Sequence, residues 1–161
     1  MFGKEIDREV QLYAKSQYPM EACGFIREDR SGVVFFEPQP NVAKRPDRDF
    51  QIPLGAYPTD GSLRAVFHSH TNEALRPVPS KEDMESQVAT DVPWGLCVVD
   101  RKQKFSKVLW FGDGVEVPDL LGRDFRWGPS GTDGNGDCYA LVKDWYWLNR
   151  KIRLYDYPSR S

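Results

Sequence analysis

Apolar and polar residues alternate along the chain with two periods, one helical and one extended. Over residues 4–18, Ile6, Val10, Tyr13 and Ala14 fall on one helical face with charges opposite, which predicts an amphipathic helix stopped by Pro19. Residues 21–27 and 32–37 are apolar runs of strand length, and Asp29, Arg30, Ser31 and Gly32 between them have turn chemistry, so a hairpin is expected. Residues 38–60 are rich in Pro, Asn, Asp and Arg and predict a long loop, in which 50–52 pairs briefly with a strand. The compact run 63–67 reads as a buried strand whose C-terminal end delivers His68 and His70. Pro77 and Pro79 make a turn, after which Ser80 opens a helix reaching Thr90. Residues 94–99 and 105–110 are two further strands, separated by a turn at 100–103.

Beyond Trp110 the pattern changes. Glycine-rich punctuation at 112–114 and 128–137 places a boundary between about residues 112 and 122. From Cys138 to Trp147 a helix is expected, with Asp137 as its N-cap.

Composition narrows the function classes. A formal net charge of −2 gives no field favouring nucleic acid or an anionic membrane. No apolar run approaches the ~18 residues of a membrane span, and the first ten residues lack a signal-peptide core, so a cytoplasmic protein is expected. The cysteines at 23, 97 and 138 are too scattered for a disulfide framework or a zinc knuckle and read as free thiols. Both histidines of the chain sit two residues apart.

That pair carries the chemistry. On a strand, side chains two apart project from one face, so His68 and His70 can present two nitrogens to one cation. Zinc takes imidazole and carboxylate ligands, and with three protein ligands keeps a fourth position for water. Asp83, thirteen residues beyond His70 and in the first turn of the expected helix, is the candidate third ligand. A carboxylate nearby can take a proton from water and hand it to a leaving amine, and Glu21 is the candidate. Ser80 could donate to an oxyanion. Each element alone has a plainer explanation: Ser80 and Asp83 as a capping box, a histidine pair as coincidence, Glu21 as a solvated charge. Their combination in this order is harder to assign to chance.

Glu21, His68-Ser69-His70, a nine-residue spacer and then Ser80 and Asp83 resemble the JAMM (MPN-plus) metalloproteases. Glu21, Cys23 and Gly24 look like the family's Glu-x-Cys-Gly strand, and Asn41 with residues 50–53 is similar to its prokaryotic branch. The resemblance covers roughly residues 5–110 and implies an α/β fold, a cytidine-deaminase-like α/β/α domain with a central mixed sheet. It also implies zinc on His68, His70 and Asp83, Glu21 as general acid/base and Ser80 at the oxyanion. The spacer is longer than is commonest in the family. A zinc deaminase is disfavoured because its His-x-Glu and Pro-Cys-x-x-Cys elements are absent.

Residues 125–142 resemble the start of NlpC-type cysteine peptidases, with Asp137 and Cys138 at the head of a helix, a position that favours a thiolate. Such peptidases need a histidine after the cysteine, and none follows Cys138. The chain is therefore expected to comprise a JAMM domain over 1–115 and, over 116–161, a linker with a partial, short and partly helical NlpC-type segment, in which Cys138 is either a second-site nucleophile or a small buried hydrophobe. A JAMM segment followed by an NlpC segment is similar to the tail tip assembly protein K family of lambda-like phages. That likeness implies a protein or peptide substrate, other tail tip proteins as partners, and passage from the host cytoplasm into a phage tail. The leading expectation is a zinc peptidase or isopeptidase. Its rivals are a non-catalytic docking factor, using loop 38–60 and Trp145, Tyr146 and Trp147, and a peptidoglycan endopeptidase working through Cys138.

Overall fold

The computed structural model describes residues 1–155. It is a mixed α/β protein, as the two periodicities predict, and its five-stranded sheet has the spatial order Val34–Gln39, Cys23–Glu28, Leu63–Thr71, Trp94–Val99 and Leu109–Phe111. The last six residues of the expected C-terminal segment lie outside the described residues. Among the described residues no helix is long and apolar enough to cross a membrane. The chain clusters into two compact units that interleave in sequence.

The first unit comprises Phe2–Pro77 and Trp94–Val108. Helix α1 (Lys4–Gln17) buries Ile6, Val10 and Ala14, spaced by four so that they share a face. Fully burying an aliphatic side chain of the size of Ile6 or Val10 stabilises by about 1.5–3 kcal/mol. Strands β1 (Cys23–Glu28) and β2 (Val34–Gln39) form the expected hairpin. Its turn is tied by the Asp29 carboxylate, which accepts from the backbone N–H of Ser31 at 2.8 Å and of Val33 at 3.0 Å. Strand β3 (Leu63–Thr71) pairs antiparallel with β1 and parallel with β4 (Trp94–Val99). Gly24 permits this layering: a Cβ there would lie 2.5 Å from the Phe36 ring and 2.6 Å from the Glu37 carbonyl. Phe36 meets Phe67 edge-on and Tyr13 of α1 packs on Phe36, so the helix covers the sheet face bearing Gly24, Phe36 and Phe67. The opposite face carries His68 and His70.

Three expectations change in detail. Strand β3 does not stop at Phe67 but runs through both histidines, because β1 pairs it as far as His68 and β4 as far as Thr71. Residues 50–52 form no strand; the loop is instead pinned by single bonds such as Val42 N–H to the Gln51 carbonyl, 2.9 Å. The strand expected over 105–110 shrinks to β5 (Leu109–Phe111), with Phe105 making only an isolated bridge to Val99. Ser106 interrupts it, its Oγ accepting from Val98 N–H and donating to the Lys107 carbonyl.

The second unit comprises Val78–Pro93 and the described residues from Leu109 onward, with Met1. It holds α2 (Lys81–Thr90), β5 and α3 (Cys138–Arg150). The loops before α3 are fixed by two ion pairs, a buried one from Arg123 to Asp144 at 2.7 Å and one from the buried Arg126 to the exposed Asp133 at 2.7 Å. Asp137 caps α3, accepting from Ala140 N–H at 2.8 Å.

Candidate metal centre

Strand β3 builds most of the site. His68 is fully buried at the middle of the sheet, opposite Cys23 on β1 and Leu96 on β4. His70, two residues on, projects from the same face and is half-buried. Their Nε2 atoms stand 3.2 Å apart. Two imidazole nitrogens at zinc–nitrogen distances, held at the tetrahedral angle, lie about 3.3–3.4 Å apart, so the pair is spaced as two ligands of one ion.

The ring of His68 is set by aromatic neighbours. Phe50 stacks on it at 4.5 Å between centroids with the planes 21° apart, and Trp94 meets it edge-on at 5.5 Å. Phe50 reaches it from the long loop, which Asn41 organises. The Asn41 amide donates to the carbonyls of Glu21 and Asp49, each at 2.9 Å, and its oxygen accepts from Ala43 and Gln51 N–H.

The same loop fixes Glu21. Its N–H donates to the Pro46 carbonyl at 2.7 Å. Ser69 extends the β1–β3 ladder past Cys23: its N–H donates to the Ala22 carbonyl and its Oγ accepts from Ala22 N–H. Continuing that register places Glu21 opposite His70, and residues directly opposite in an antiparallel pair share a face. The Glu21 side chain is buried.

Ser80 is the N-cap of α2 and Asp83 its third residue, joined in a reciprocal capping box. Asp83 Oδ2 accepts from Ser80 N–H at 2.8 Å, and Asp83 N–H donates to Ser80 Oγ at 3.1 Å. The cap thus holds the buried Asp83 carboxylate by its own helix. A hydroxyl oxygen that accepts the cap bond still has its proton to donate elsewhere. One ring nitrogen each of His68 and His70 and one carboxylate oxygen of Asp83 lie within 4.8 Å of one another. Two imidazoles and a carboxylate form the donor set of an open zinc site, and they fit that ion.

Cys138 is the first residue of α3 and lies at the surface, and both imidazoles of the chain belong to the cluster. Cys23 and Cys97 are buried free thiols. Burial, and then the Glu21 carboxylate, push the Cys23 thiol up to about 12.

The resemblance singles out Asn41 and residues 50–53 but gives neither Asn41 nor Phe50 a role, and nothing in the motif spacing points to Trp94.

No family model and no curated protein matches the chain. Among solved structures it is similar to a JAB1/MPN domain protein from Archaeoglobus fulgidus, 17% identical over 66% of this chain and 83% of that one, with a TM-score of 0.42. It is also similar to a protein from Desulfitobacterium hafniense known from its solution structure, 22% identical over 68% of this chain and 82% of the other, with a TM-score of 0.42.

Proposed function

We propose that this protein is a zinc-dependent hydrolase of the JAMM type that cuts a peptide or isopeptide bond. The observation that carries this is the convergence of His68, His70 and Asp83 donor atoms on one point. A zinc ion held there would supply Lewis acidity toward a carbonyl and make a coordinated water acidic near neutral pH. Glu21, on the histidine face of the sheet, takes the proton from the attacking water and delivers it to the leaving nitrogen. Ser80 donates its hydroxyl proton toward the oxyanion, an orientation its role as helix cap already restricts. Phe50 and Trp94 hold the His68 ring plane and keep water from its faces.

The order of a JAMM-like and then an NlpC-like segment supports a setting in phage tail assembly, with a tail protein or wall peptide as substrate and other tail tip proteins as partners. Cys138 takes no part in this reaction.

The test is metal content together with turnover. Zinc-replete protein should hold one zinc per chain by elemental mass spectrometry, and His70→Ala and Asp83→Ala should hold none. Glu21→Gln should keep the metal while hydrolysis of a peptide library falls by about 10²–10⁴-fold. Wild-type protein that retains no zinc overturns the proposal.

A further inference from the structure

Glu21 precedes β1, whose pairing with β2 and β3 begins at Cys23, and its backbone is held instead from the long loop. Its N–H donates to the Pro46 carbonyl, and its own carbonyl accepts from Asn41 Nδ2 at 2.9 Å. The same side-chain amide grips the peptide groups on both sides of Phe50. Asn41 Nδ2 donates to the Asp49 carbonyl at 2.9 Å, and Asn41 Oδ1 accepts from Gln51 N–H at 3.1 Å. Oδ1 also accepts from Ala43 N–H at 3.0 Å, and Nδ2 lies 3.4 Å from the Pro46 carbonyl. A primary amide offers two donor hydrogens and two lone pairs, so these partners use its full capacity and admit one orientation of the group. Phe50 in turn stacks on His68, with 4.5 Å between centroids. One half-buried side chain therefore ties the backbone of the candidate proton carrier to that of the ring covering a candidate metal ligand.

We propose, resting on the hydrolase function inferred above, that Asn41 is a positioning residue of that site and fixes Glu21 and the Phe50–His68 stack relative to one another. A carboxylate that carries a proton must stay within hydrogen-bond reach of the attacking water and of the leaving nitrogen, and a misplacement of about 1 Å costs on the order of 10²-fold in rate. Asn41 acts on that distance through the backbone, at a point where the strand ladder has not yet begun. Its two functional atoms divide the work. Nδ2 holds the Glu21 carbonyl, whereas Oδ1 holds the loop at Ala43 and Gln51. A residue that only kept the loop folded would be indifferent to whether position 21 carries a carboxylate, and a positioning residue is not.

Amide hydrogen exchange of the metal-free chain, read residue by residue by NMR, tests the clamp without zinc or turnover. Asn41→Ala should speed exchange at Glu21, Ala43 and Gln51 by about tenfold or more and leave the amides of α1 and β4 at wild-type rates. Asn41→Asp keeps the acceptor and loses the donor, so Ala43 and Gln51 should stay protected while Glu21 exchanges faster. On protein saturated with zinc, both variants should lower kcat for a peptide library by about 10–100-fold, with KM within about twofold and one zinc per chain. In the Glu21→Gln background, Asn41→Ala should lower the residual rate by less than about threefold, because the group it positions is already disabled. Wild-type exchange at Glu21 in Asn41→Ala, wild-type kcat in Asn41→Asp, or an equal loss of rate from Asn41→Ala with and without the Glu21 carboxylate would overturn the proposal. A wild type that holds no zinc and hydrolyses nothing would sink the hydrolase function instead, and exchange in the metal-free chain tells that failure from a failure of the clamp.

Discussion

Cys23 sits on β1 across from His68 with no exposed surface, and its thiol is pushed up to about 12, first by burial and then by the Glu21 carboxylate. At pH 8 a thiol with that pKa is thiolate in about one molecule in 10⁴, and the thiolate is the nucleophile. Burial raises the Cys97 thiol as well, and no charge offsets it. Cys138 is exposed. Iodoacetamide at pH 8 should therefore modify one cysteine in the native protein, mapped by mass spectrometry to Cys138, and all three after unfolding. Native labelling at Cys23 would mean that β1 opens readily at its histidine end. The sign of the linkage follows from the same shift. The folded thiol keeps its proton where the unfolded one has lost it, so the Cys23 contribution to stability falls as pH rises from the ordinary thiol range toward about 12.

At the scale of elements, the cap of α2 and the close approach of β1 to β2 each depend on a single residue. Ser80→Ala removes the acceptor of Asp83 N–H, which should destabilise by about 1 kcal/mol in denaturant melts and weaken zinc binding, since the cap orients a ligand. Ser80→Thr keeps the oxygen and should retain both. Equal zinc affinity in the alanine variant would separate Asp83 from its cap. Gly24→Ala drives a methyl into the Phe36 ring and the Glu37 carbonyl, and a loss of roughly 1–3 kcal/mol is expected. These contrasts also show what periodicity reveals. The hairpin, α1, α2 with its cap and α3 with Asp137 are legible because local spacing and turn chemistry determine them. The extension of β3 through His70 could be read only from the histidine spacing, since the apolar run ends at Phe67 and pairing with β4 carries the strand on to Thr71. Convergence of Asp83 with the histidines could be read only from motif order, and although the resemblance marks Asn41 and residues 50–53, what Phe50 stacks on and what Asn41 ties together were not legible because they join a loop to residues far along the chain. The outward apolar face of α3 has the same periodicity as a buried one, and sequence pattern cannot tell the two apart.

For the molecule as a whole, a metal that binds the folded state and not the unfolded one must raise apparent stability. At zinc one hundredfold above its Kd the gain is about 2.7 kcal/mol. For a chain of this length that corresponds to a rise in Tm of roughly 5–11 °C. The ligands come from β3 and from α2. Three cysteines could hold zinc in the unfolded chain and reduce the shift, and His70→Ala keeps all three cysteines while removing one ligand. The expected pattern in a melt with and without EDTA is a shift in wild type, a shift of the same size in Glu21→Gln, and none in His70→Ala or Asp83→Ala. Loss of the shift in Glu21→Gln would make Glu21 a ligand and remove the assigned proton carrier. A shift that survives in His70→Ala would place the zinc elsewhere than between the β3 imidazoles.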